Sequence, residues 1–136
     1  MSGENPVEAS VPNQGTGESH DVGEIIRFDV VAHGPDAVVV HAVGEIDTLT
    51  APVLQARLAE HLDATALVVL DMSEVTFLGS AGLAVLVAEK DRAESLGRRL
   101  RLVCGSRIVT RALEATGLLG LFDIADGVPE ALRTGV

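Results

Sequence analysis

Ala66-Leu67-Val68-Val69-Leu70-Asp71-Met72-Ser73-Glu74-Val75-Thr76-Phe77-Leu78-Gly79-Ser80-Ala81-Gly82-Leu83 carries two patterns in succession. From Ala66 to Asp71 the run is continuously apolar, as expected of a strand covered on both faces. After Phe77-Leu78-Gly79 the period changes. Leu83, Leu86 and Val87 supply an inward helical face, Glu89–Glu94 is polar, and Gly97 is a stop. Ser80 sits where a helix cap belongs. A buried strand feeding an amphipathic helix is half of a β-α-β unit.

The alternation continues on both sides. Upstream, Ile25–Val31 and Ala37–Val43 read as strands, joined by the turn chemistry of His33-Gly34-Pro35-Asp36. Two strands separated by so short a loop predict a hairpin. Thr50 is a cap candidate with Pro52 in the first turn, and Leu54, Leu58 and Leu62 form a stripe at helical spacing. Downstream, Leu100–Cys104 reads as a strand. Ser106 caps a helix carrying Ile108, Val109, Ala112 and Leu113, closed by Gly117. Leu121–Ile124 is a short last strand and Pro129–Leu132 a short last helix. The expected fold class is α/β: a mixed sheet opened by a β-hairpin, with right-handed crossovers, packed against about four helices.

The 136 residues predict one folded unit over 23–136. Residues 1–22 hold Glu4, Glu8, Glu18 and Asp21, no Lys or Arg, and several Gly, Ser and Pro. Such a segment buries too little apolar surface to offset its ordering entropy, and is read as a disordered acidic tail. A net charge of −10 argues against direct binding to nucleic acid and against an anionic membrane surface, and favours a partner with a basic face. With three Phe and no Tyr or Trp, base stacking is unavailable. One cysteine, Cys104, excludes an internal disulfide and a Cys-based zinc site, and suits the reducing cytoplasm. In its apolar strand it reads as a small buried hydrophobe. His20, His33, His41 and His61 show no metal-ligand spacing, so neither metal nor cofactor is expected.

Catalytic signatures are absent. There is no Gly-rich phosphate loop, and Gly79-Ser80-Ala81-Gly82 lacks the spacer of Gly-x-Ser-x-Gly. A serine nucleophile needs a His base and an orienting acid. His41 and His61 lie in stretches that read as strand and helix face. Asp47 and Asp71 read as solvated or capping acids. The chain is therefore not expected to be an enzyme.

Two segments remain: Gly44-Glu45-Ile46-Asp47-Thr48-Leu49-Thr50-Ala51, and Asp71 through Leu83. They resemble the signature segments of the STAS domain found in bacterial anti-sigma factor antagonists. The first is similar to the family's Gly-Glu-Leu/Ile-Asp loop, the second to its Asp-Leu-Ser-x-Val-x-Phe-hydrophobic-Asp-Ser-Ser/Thr-Gly-Leu stretch. The resemblance extends from about Glu24 to the C-terminus, with Gly117-Leu118 and Phe122 in order. The chain departs from the pattern at Gly79, where the family has Asp, and at Ala81, where it has Ser or Thr.

The resemblance implies an antagonist whose unphosphorylated form binds an anti-sigma factor of the Ser/Thr kinase type and releases the sigma factor. Phosphorylation of Ser80 would block that binding, and a Ser/Thr phosphatase would be a further partner. Glu45, Asp47, Thr48, Thr50, Gly79, Ser80, Ala81, Gly82 and Ser106 form the implied partner surface. The residues themselves add a physical argument. A phosphate at a helix start meets free N–H groups and the positive end of the helix dipole. The alternative reading is a STAS binding or scaffold module not regulated by phosphorylation.

Overall fold

Eight β-rich residues turn back on ten more. β1 (Ile26–His33) and β2 (Ala37–Ile46) pair antiparallel from Ile26 opposite Gly44 to His33 opposite Ala37, forming the expected hairpin. The computed structural model describes residues 26–133, so the segment read as an acidic tail, residues 1–22, lies outside the described residues. After the hairpin come α1 (Ala51–Ala64), β3 (Leu67–Leu78), α2 (Ser80–Ser95), β4 (Arg99–Val103), α3 (Arg107–Ala115), a single 3-10 turn (Leu119–Leu121), β5 (Asp123–Ala125) and α4 (Val128–Leu132).

The five strands lie side by side in chain order, and every pair after the hairpin is parallel. Right-handed crossovers between successive neighbours in one direction put every connecting helix on the same side. That is where they are. Leu54, Leu58 and Leu62 of α1, Leu83 and Leu86 of α2, and Val109 and Leu113 of α3 share one core with Val38, Val40, Val68, Leu70 and Leu102. Each fully buried Leu contributes about 1.5–3 kcal/mol of transfer free energy. The opposite face holds a smaller cluster of Val39, Val69, Val103 and Ala125 under Ala131 of α4. Val68, Val69 and Leu70 are thus buried on alternating faces, which is why the run is apolar throughout.

Three local features differ from the sequence reading. β3 runs to Leu78, well past the expected end at Asp71. Its register against β2 slips by one residue twice, between His41 and Val43 and between Gly44 and Glu45. Each bulge adds one residue on β3. Met72, Val75 and Leu78 therefore reach the core at a spacing of three, a pattern that two-residue alternation does not detect. Glu89, read as part of a polar stretch, is buried at 4% exposure between α1 and α2. Gln55 Nε2 donates to its Oε2 at 3.1 Å, and Arg92 Nε lies 3.9 Å from its Oε1. The third difference concerns the helix caps and belongs to the site.

Candidate functional site

β2 and β3 run parallel, so they end on the same edge of the sheet. There the Gly79 N–H donates to the Ile46 carbonyl at 2.9 Å. Asp47 and Ser80 are the next residues along the two chains from this bond. The two motif segments therefore meet backbone to backbone. Gly82 tightens the junction: a Cβ there would lie 2.5 Å from Ile46 Cγ2 and 2.7 Å from Leu78 Cδ1, so only glycine lets the first turn of α2 settle on the strand ends. Gly44, φ +121°, sits at the second bulge in backbone geometry that other residues rarely adopt.

The 45–50 turn is closed by its own side chains. The Asp47 carboxylate accepts the N–H groups of Leu49 at 2.9 Å and Thr50 at 3.0 Å. The Thr50 hydroxyl accepts the Asp47 N–H at 2.9 Å and donates to the Glu45 carbonyl at 2.8 Å. Thr50, expected as the cap, is already helical in its backbone, makes no cap bond, and is fully buried. The capping work falls to Asp47, because the chain turns helically three residues earlier: Ala51 N–H reaches the Asp47 carbonyl at 2.8 Å. The Thr50 N–H, ahead of the Leu49 N–H and the Thr50 hydroxyl, holds the Asp47 carboxyl below the usual aspartate value, against a desolvation that raises it. Glu45, Thr48 and Leu49 are exposed on this turn.

The start of α2 is the reverse. The cap position is Gly79, in extended geometry, and no side chain caps the helix. Ser80, expected at the cap, is the first helical residue. Its side chain is exposed and has no hydrogen bond among the described residues. The N–H groups of Ser80, Ala81 and Gly82 have no intrahelical acceptor. Ala81 is half-buried and Gly82 buried.

Ser106 takes up the expected cap of α3, accepting the Val109 N–H at 3.3 Å. It is not gathered with the others. Val103 pairs with Asp71, and Gly105 packs against Ser73, so Ser106 leaves the sheet at that level. Leu78 is five residues further along β3 and, with one bulge between, about four rows of the sheet, roughly 13 Å of strand.

Neither histidine considered as a base reaches Ser80. His41 Nδ1 is 2.8 Å from Asp71 Oδ2, and the other Asp71 oxygen accepts the Ser73 N–H and hydroxyl. His61 closes the last turn of α1, at the far end from the site. Cys104 is buried, and burial pushes its thiol up, partly countered by a hydrogen bond with the Thr110 side chain. A shallow pocket lined by Lys90, Glu94, Arg98, Arg99 and Asp123 opens at the opposite edge of the sheet; Lys90 is paired with Glu94 at 2.9 Å and Arg99 with Asp123 at 3.0 Å. Among the described residues no cluster of His, Cys, Asp and Glu suits a metal ion, and no helix is long and apolar enough to cross a membrane.

The sequence reading missed two large apolar side chains at the site. Phe77 is 49% exposed and Leu49 60% exposed. Both lie inside the quoted motifs, and their only signal is apolar character where the chain stops alternating.

Comparison with known proteins agrees with the motifs. The STAS domain pattern matches residues 29–131. The anti-sigma-F factor antagonist RsfA of Mycobacterium tuberculosis is 32% identical over 90 residues, covering 64% of this chain and 70% of that one. The anti-sigma-B factor antagonist of Bacillus subtilis is 31% identical over 100 residues, covering 74% of this chain and 91% of that one. The crystal structure of an anti-sigma factor antagonist from Mycobacterium paratuberculosis superimposes with a TM-score of 0.67 at 31% identity, over 79% of this chain and 91% of that one. The chain belongs to the STAS domain family, among relatives named anti-sigma factor antagonists.

Proposed function

We propose that this chain is an anti-sigma factor antagonist switched by phosphorylation of Ser80. Unphosphorylated, it binds an anti-sigma factor of the Ser/Thr kinase type in the cytoplasm and frees the sigma factor. Phosphorylated, it lets go, and a Ser/Thr phosphatase resets it. The observation that carries the reading is the exposed Ser80 hydroxyl, without a hydrogen bond among the described residues, at an uncapped helix start. The relatives' names supply the class of partner.

The physics of the switch is local. Phosphate adds about −1.5 to −2 charges. The free N–H groups of the first turn of α2 and the helix dipole accept that charge without unfolding the helix. A partner shaped to a neutral hydroxyl does not. It would have to desolvate a dianion next to Asp47 and Glu45, at a cost of several kcal/mol. Binding is lost while the fold is kept.

The decisive experiment combines the purified chain with the kinase-type anti-sigma factor of its own organism and ATP. Intact mass should rise by one phosphate, Ser80→Ala should gain none, and Ser80→Ala should bind the partner constitutively. The absence of Asp at Gly79 favours the alternative, a STAS binding module without phosphorylation. A parent chain that takes up no phosphate, together with a Ser80→Glu variant that binds as tightly as the parent, would establish that alternative instead.

A further inference from the structure

We infer that Phe77 is a specificity anchor of the Ser80 surface, fitting a pocket on the anti-sigma factor that is apolar at its base and basic at its rim. The inference rests on the function proposed above and names what the partner must offer at that site.

The chain has three phenylalanines. Phe122 is buried and Phe28 is packed against the same core, whereas Phe77 is half out in water at the end of β3. Its place is set by the fold. Phe77 is the register partner of Glu45, and Leu78 beside it is the register partner of Ile46 and is buried. The ring leans over residue 79. A Cβ at Gly79 would lie 3.0 Å from Phe77 Cε2 and 3.3 Å from Phe77 Cζ, closer than a side chain and a ring normally sit. With no side chain at residue 79 the ring can come this close, and a side chain there would press it back. Where the STAS resemblance expects a carboxylate next to the acceptor serine, this chain presents an aromatic face.

That exchange changes what a partner meets. Beside Ser80 it finds a half-exposed apolar ring, and in the neighbouring turn, whose backbone the Asp47 and Thr50 hydrogen bonds hold, the exposed Leu49. Around them stand the exposed carboxylates Glu45 and Glu74, with Asp47 partly exposed, on a chain of net charge −10. An aromatic centre with a charged rim is the usual anatomy of a specific interface, and aromatic anchors carry a large share of its energy. The acidic rim selects a basic surround. A partner built to receive a carboxylate at 79 offers a polar cavity to this ring, so the Phe77–Gly79 pair also discriminates against such partners.

The test uses the full chain and the kinase-type anti-sigma factor that binds it. Phe77→Ala is expected to lose about ten- to hundredfold in affinity with little change in melting temperature. Phe77→Leu, which keeps the apolar volume, should retain most of the affinity. Gly79→Asp should displace the ring and weaken binding at an unchanged fold. Phosphate uptake by the parent, and loss of binding in Ser80→Glu, report separately on the switch. If those two hold while Phe77→Ala binds within about threefold of the parent, the anchor is wrong and the switch stands. If they fail while Phe77→Ala still loses affinity, the anchor stands on a module without the switch. Should Phe77→Ala fail to fold, Gly79→Asp decides: parental affinity in that variant overturns the inference.

Discussion

Two strand-to-helix junctions leave the same edge of the sheet, and they are built in opposite ways. Between β2 and α1, the Asp47 carboxylate and the Thr50 hydroxyl are taken up by backbone groups of their own turn. Between β3 and α2, Gly79 offers no side chain, the Ser80 side chain has no hydrogen bond among the described residues, and Gly82 is there to let the backbones touch. The first junction spends its polar groups on holding a shape. The second leaves an exposed serine and three first-turn N–H groups without intrahelical acceptors. A modification at the first would break the turn, whereas one at the second has room and a favourable field. The contrast shows how one edge can hold both a closed turn and an open helix start.

The comparison is most sharply exposed by charge at the open junction. Ser80→Glu should lower partner affinity by about tenfold or more and leave the melting temperature at or slightly above the parent's, since an acid in the first turn suits the dipole. Calorimetric titration and thermal melting together check this. A parallel fall in both would mean that Ser80 is part of the frame after all.

The closed junction should answer in stability. Thr50→Val keeps the shape and removes a fully buried hydroxyl, leaving the Asp47 N–H and the Glu45 carbonyl without partners. A loss of about 1–3 kcal/mol is expected in denaturant unfolding, and Thr50→Ser should recover most of it. A neutral result would show that the turn is held by its backbone alone.

Asp47→Ala should destabilise less than Thr50→Val, because its side chain is closer to solvent. The sign of its pH dependence is fixed by its lowered carboxyl. The stabilisation is complete above the ordinary value of 3.8 and is lost as pH falls through the lower folded value. Acid unfolding of Asp47→Asn, which keeps an acceptor but cannot titrate, should show a shallower slope in that window. An identical slope would remove Asp47 from the account.

The smallest effect belongs to the third junction. Ser106 accepts a single long bond of 3.3 Å from Val109 N–H. Ser106→Ala is expected to cost about 0.5–1 kcal/mol and to leave partner affinity within about threefold. A marked loss of affinity would extend the partner surface along the sheet edge from Ser80 to the start of α3.

The sequence by itself determined the order of strands and helices, the opening hairpin, the stripe Leu54, Leu58 and Leu62, and the two motifs that mark the family. The elements are legible because they rest on local periodicity and turn chemistry, which act over a few residues, and the motifs because they resemble the signature segments of the STAS family. The tertiary structure decided the rest. The β2–β3 bulges carry β3 on to Leu78 and let Met72, Val75 and Leu78 share one face. Asp47 became the cap in place of Thr50, and Gly79 in place of Ser80. Glu89 was buried by the contact of α1 with α2, Ser106 was set apart from Ser80 by the length of β3, and the ring of Phe77 was laid over Gly79. Each of these depends on which backbone lies opposite which. A bulge, a cap or an exposed ring is settled by register between segments distant in the chain, and register leaves no mark in the spacing of residues along either one.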